Sequence, residues 1–256
     1  MKRFAYILFS SALLFSCGSN ENTAVDKEGN TVTSTFSKKI NLPLNPCDYI
    51  SREMVMAHFD VAESKLELNE DFTDFTSPYA KCGFKWEKSN FEELSKIHQD
   101  AMMDYMMHGI EKREGPKPKL SDITKLESPY GTILVGNFKQ YDDMQKALNG
   151  FSQSHHVPTK EEMAALNKEI DKQFAEKGMD DNAKKIGKSL TGGIAGGLKF
   201  TKIDGIGDQA FFDHLNRSLD VRFGTFTFKV YIDSELSFEE NVEIAKQIAQ
   251  AVWDKL

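Results

Sequence analysis

Leu219-Asp220-Val221-Arg222-Phe223-Gly224-Thr225-Phe226-Thr227-Phe228-Lys229-Val230-Tyr231-Ile232 is the stretch that decides the fold. Large apolar residues stand at every second position on both sides of Gly224-Thr225, the period of a strand with one buried face. A two-residue loop with glycine first fits a type II′ turn, whose twist matches that of the flanking strands. The resulting register sets Phe223 against Phe226, Val221 against Phe228 and Leu219 against Val230. All six then share one face, alternating with Asp220 and Arg222 on the first strand.

The chain downstream supplies a cover for that face. Ser237 and Glu240 form a capping-box pattern. Behind them Val242, Ala245, Ala249, Val252 and Leu256 make one helical stripe. Upstream, Cys82-Gly83-Phe84-Lys85-Trp86 alternates as a half-buried strand with Cys82, Phe84 and Trp86 inward, and Thr132 to Phe138 reads as another. Helical periods appear over Arg52 to Phe59, capped by Ser51, and over Asn90 to His108. They recur over Asp142 to Phe151, with Met144, Ala147, Leu148 and Phe151 on one face. A further helix follows the Thr159/Glu162 capping box, with Met163, Leu166, Ile170 and Phe174 as its stripe. Strands and helices do not alternate strictly. The pattern therefore predicts an α+β body, an antiparallel sheet covered by helices, with a C-terminal β-hairpin followed by a long helix.

The N-terminus carries an address. Met1-Lys2-Arg3 precedes an apolar run from Phe4 to Phe15, followed by Ser16, Cys17 and Gly18. The run is shorter than the ~20 residues that span a bilayer core, and its basic head marks an export signal. Leu14-Phe15-Ser16-Cys17 resembles the lipobox of bacterial lipoproteins. The resemblance implies cleavage after residue 16, lipid (palmitate-type acyl chains) on Cys17, and a cell-envelope location. Gly18 is not the aspartate that retains lipoproteins at the inner membrane in some bacteria, so the outer membrane is favoured. Residues 17–43 are mostly Asn, Thr, Ser and charge and read as a flexible tether. Residues 44–256 form the body, as a single domain.

Composition is that of a folded protein, 40% hydrophobic and 28% charged, with net charge −7. An acidic chain without clustered Lys and Arg excludes nucleic acid as a partner. Membrane contact falls to the N-terminal lipid, and the remaining partner is an unidentified protein or small-molecule ligand. With Cys17 lipidated, Cys47 and Cys82 are an even pair in an oxidising compartment. A disulfide is the natural outcome; two buried thiols are the alternative.

Pro46-Cys47-Asp48, Cys82-Gly83-Phe84-Lys85-Trp86, Gly205-Ile206-Gly207-Asp208-Gln209-Ala210, the hairpin about Gly224 and the closing Ala245…Ile248-Ala249 helix occur in this order. The arrangement resembles a group of uncharacterised bacterial secreted lipoproteins thought to adopt a sandwich similar to the PsbP and Mog1 proteins. The resemblance covers roughly residues 44–92 and 199–256 and implies a fold, not a catalytic residue. Residues 93–198 then stand as a helical insertion.

No reaction-specific constellation appears. In Thr191-Gly192-Gly193-Ile194-Ala195-Gly196-Gly197, Leu198 stands where a P-loop requires lysine, so the cluster reads as a linker. Met102, Met103, Met106, Met107 and His108 are the most suggestive cluster. Met102 falls on the packing stripe with Tyr105. Met103, Met107 and His108 are the candidate ligands, since thioethers suit Cu(I). His155-His156 reads as a surface loop. Asp208, beside glycines, is expected to bond backbone amides. No cofactor is implied. A non-catalytic binding or accessory module is the leading expectation, a copper-type metal-handling protein the alternative, and a cryptic hydrolase the third.

Overall fold

The computed structural model describes residues 23–26, 28–36, 38–71, 77–110, 120–123, 126–178, 180 and 197–256. A short hairpin of β1 (Thr23–Val25) and β2 (Thr31–Thr33) leads the described chain. The body is one antiparallel seven-stranded sheet. Its strands are β3 (Glu67–Asp71), β4 (Lys81–Glu87), β5 (Tyr130–Gln140), β6 (Phe200–Ile203), β7 (Gln209–Asp213), β8 (Ser218–Phe223) and β9 (Phe226–Asp233). Their spatial order is β3-β4-β5-β9-β8-β7-β6. Two meanders thus meet where β5 pairs with β9. The helices are α1 (Arg52–Met56), α2 (Phe91–Ile110), α3 (Leu120–Ile123), α4 (Met144–Ser154), α5 (Lys160–Glu176) and α6 (Phe238–Lys255).

The β8–β9 hairpin has the register that its pattern predicts, Phe223 to Phe226, Val221 to Phe228 and Leu219 to Val230. Gly224 has φ +59°, which a side chain resists, and a Cβ there would run into the Phe36 carbonyl. All six apolar residues are buried in the main core with Ile133, Val135, Phe84 and Trp86. Helix α6 closes this face with Val242, Ala245, Ile248, Ala249 and Val252, and Phe223 stacks on Trp253 at 4.4 Å. Its Ser237/Glu240 capping box is formed, as is that of Thr159 and Glu162 on α5. Cys47, in the 3-10 turn Pro46–Tyr49, is bridged to Cys82 of β4. The Cα atoms lie 5.0 Å apart, and the bridge ties the N-terminal segment to the sheet.

The opposite face of β8 is also buried, with Ser218, Asp220 and Arg222 all out of solvent. Helix α4 lies over it, burying Met144, Ala147, Leu148 and Phe151 as its stripe predicts. The β1–β2 hairpin completes the cover: Ala24 packs with Met144 and Leu148. The Val25 backbone exchanges two hydrogen bonds with the Gln145 side chain. The described residues between 23 and 36, which composition assigns to the tether, are therefore built onto the body. Two small apolar side chains, Phe36 and amide-to-backbone bonds do the work that large apolar residues do elsewhere. Phe36 meets both Phe223 and Trp253 edge-on.

Two expected packing stripes are not buried. On α2 Leu94 is buried, but Ile97, Met102, Met103 and Met106 are exposed. No residue of α5 is buried among those described. Their periodicity is helical as expected, but α6 and α4 already occupy the two faces over β8 and β9. Met102 is thus not the core filler that its stripe position suggests.

Candidate functional site

Helix α4 starts where Asp143 accepts the Lys146 amide at 2.7 Å and ends at Ser154. His155 follows on the same stripe, four positions after Phe151. Its side chain is only 3% exposed. Nδ1 lies 2.7 Å from the Phe151 carbonyl oxygen and Nε2 lies 2.8 Å from Asp220 Oδ2. The ring stacks on Phe211 at 4.9 Å and contacts Phe151 at 4.4 Å.

Both ring nitrogens are thus engaged, one by a backbone carbonyl and one by a carboxylate. The ring sits at the C-terminal end of α4, where His155 is the cap residue. Asp220 is correspondingly crowded. Its Oδ1 accepts the Ser218 hydroxyl at 2.7 Å, and its Oδ2 takes both His155 and Lys229 Nζ, the latter at 2.6 Å. Asp220 faces Lys229 across β8–β9 and Phe211 across β7–β8, so one sheet row assembles the cluster.

The row continues to Gly136 of β5, opposite Lys229. There the β5–β9 register slips between Gly136 and Lys139, and Asn137 takes φ +55°. A bulge with a non-glycine residue in the left-handed region is a costly local shape. Asn137 is held in it by the Tyr231 hydroxyl, which donates to its Oδ1 at 2.6 Å. Between the bulge and α4 opens a cleft of about 430 Å³. His155, Asp220, Lys229 and Thr227 line its polar side, and Phe138, Tyr141 and Phe151 its apolar side. A recess of about 250 Å³ shares Leu42, Pro78 and Phe138 with it.

The connectivity limits the chemistry. A serine, a histidine and an aspartate are adjacent, but Ser218 donates to Asp220 and not to His155. Both imidazole nitrogens face protein partners, the Phe151 carbonyl and Asp220, and neither meets a serine hydroxyl. General-base activation of a nucleophile is not assembled here. The arrangement can instead present fixed charge and apolar walls to a ligand.

A second buried charge lies on the same face. Arg222 Nη1 donates to the Gly224 carbonyl at 2.9 Å and meets Asp208 Oδ2 at 3.3 Å, while Nε donates to Gln209 at 3.1 Å. Burial pushes its guanidinium below the usual arginine range, and Asp208 opposes that shift. Asp208 accepts the Gly224 amide, the backbone bond that its glycine-flanked position predicts. It also accepts the Ser34 hydroxyl, and the cluster is structural.

The other sequence candidates fall elsewhere. His156, expected like His155 to be a surface residue, is exposed and paired with Glu162 at 2.7 Å; His155 is not, because α4 delivers it onto the sheet. Met103 is 49% exposed on α2, with Met107 and His108 half-buried beside it. Among the described residues no three His, Cys, Asp or Glu gather as metal ligands. Cys17 and residues 191–196 of the glycine cluster lie outside the described residues. Among the described residues no helix is long and apolar enough to cross a membrane, and the Cys47–Cys82 bridge points to an extracytoplasmic location. Comparison with protein families, with curated proteins and with solved structures finds no match.

Proposed function

We propose that this protein is a non-catalytic binding module of the bacterial cell envelope, held at the outer membrane by lipid on Cys17, with the His155 cleft as its ligand site. The observation that carries the ligand site is His155 itself, a buried imidazole held between a carbonyl and a carboxylate at the wall of an open, partly apolar cleft. A purely structural solution would fill this space with apolar side chains at less desolvation cost. The lipobox-like Leu14-Phe15-Ser16-Cys17 and the disulfide support the address. The antiparallel sheet with its closing hairpin and helix suits the PsbP/Mog1-like body that the sequence resembles.

Two measurements test this. Cys17→Ala is expected to release the protein from the membrane fraction; unchanged retention rejects the anchor. Amide shift mapping with a library of small neutral and charged fragments should perturb Tyr141, Phe151 and Thr227 together. Hits that cluster away from these residues reject the cleft.

A metal-handling role is favoured by one observation alone, the exposure of Met102, Met103 and Met106 on α2. Cu(I) titration with Met103→Leu/Met107→Leu as control tests it: no binding below micromolar removes it.

A further inference from the structure

We infer that the cleft takes an amphipathic monoanion, a carboxylate borne on an aromatic or branched apolar body, with its head at Lys229 and Lys139 and its body toward the recess. The inference rests on the cleft being the ligand site and adds the charge and shape of what enters it.

The charge argument comes from the lining. Its titratable cations are His155, Lys229 and Lys139, and its one carboxylate is Asp220. Asp220 is already committed to Ser218, His155 and Lys229, so it neutralises at most one charge. Lys139 holds its ammonium 4.3 Å from the Tyr141 ring centre, and no carboxylate among the described residues pairs with it. A positive surplus remains whether His155 is charged or neutral. It persists in a chain whose net charge is −7, so it runs against the molecule's overall field. A cation would meet like charge there, and a neutral body would leave the surplus unpaired in a partly desolvated space.

Shape gives the rest. Lys229 is 29% exposed and belongs to the row that ends at the bulge. Phe138 stands between cleft and recess and lines both. Leu42 and Pro78, also shared, carry the apolar lining from one to the other. A head at the lysines therefore leaves an apolar body of one ring or a short branched chain to lie against Phe138. The two volumes together fall within the span of small-ligand sites.

The test uses three probes of one shape, 3-phenylpropionate, 3-phenylpropanamide and 3-phenylpropylamine, titrated into the lipid-free body by calorimetry at neutral pH. The carboxylate is expected to bind at least about tenfold more tightly than the amide, and the amine weakest of all. Lys229→Met should lower carboxylate affinity about tenfold and leave the amide unchanged, and Lys229→Arg should restore it. Lys139→Met, at an exposed position, should give a smaller loss of the same sign. Equal binding of carboxylate and amide, or carboxylate binding indifferent to both lysines, overturns the anion assignment while leaving the cleft standing. Absence of saturable binding by any probe also overturns it, and the cleft itself falls only if the fragment mapping is silent as well.

Discussion

Asp208 Oδ2 receives the backbone amide of Gly224 at 2.7 Å, tying the turn before β7 to the turn between β8 and β9. The same oxygen accepts the Ser34 hydroxyl at 2.6 Å and faces Arg222 at 3.3 Å. One carboxylate oxygen thus joins the N-terminal arm, the hairpin turn and a fully buried guanidinium.

Asp208→Ala should destabilise the body by about 3–5 kcal/mol, because Arg222 would be left buried without a counter-ion. Asp204→Ala, on the exposed side of the same turn, should change stability by less than about 0.5 kcal/mol. Urea unfolding of the two variants decides it; similar midpoints would show that Arg222 does not depend on Asp208.

Gly150→Ala should narrow the cleft without unfolding α4. A Cβ at Gly150 would come within 2.7 Å of the Tyr141 hydroxyl, the far end of a side chain that can move. The substitution also favours helix by roughly 1 kcal/mol. The expected result is a melting temperature unchanged or raised, with affinity for 3-phenylpropionate reduced about tenfold. Undiminished affinity would show that Tyr141 is not a wall of the site.

Acidification should weaken the fold through His214. Burial pushes its imidazole below the ordinary value of 6.5, Lys199 adds to this, and Asp213 opposes it. The ring also stacks on Phe238 at 5.1 Å. The unfolded chain therefore takes up the proton first. The stability that this position contributes is complete above about pH 6.5 and is lost as pH falls through that value toward the lower folded one. Denaturant midpoints of the protein and of His214→Phe between about pH 7.5 and 5 should converge on acidification; parallel curves would remove His214 from the acid response.

Opening the Cys47–Cys82 bridge should cost about 3–4 kcal/mol, given the 35-residue separation that it closes. The native protein should resist alkylation at both positions until reduced. A Cys47→Ala/Cys82→Ala variant should unfold at correspondingly lower urea.

Much of the frame was legible in the chain. The hairpin register followed from period two about Gly224, and α4 and α6 from apolar positions three and four apart. The capping boxes marked the starts of α5 and α6. The cleft was legible only in pieces. The predicted register already places Asp220 opposite Lys229, and the Met144-Ala147-Leu148-Phe151 stripe, carried four residues on, reaches His155. The His155-His156 pair nevertheless reads as loop, because nothing local distinguishes two adjacent imidazoles. The arm within residues 23–36 leaves no sequence signal, because its attachments to Gln145, Asp208 and Trp253 all join residues more than a hundred positions apart.

The sequence by itself determined strands β4, β5, β8 and β9, the closing helix and the even cysteine pair, since each depends on neighbours within a turn or a hairpin or on simple parity. Only the tertiary structure decided that the polar face of β8 is covered, that His155 meets Asp220, and that a bulge at Asn137 opens a cleft beside them. Those features arise where β5, β7, β8, β9 and α4 converge, and contact between segments far apart in the chain leaves no period in the sequence to read.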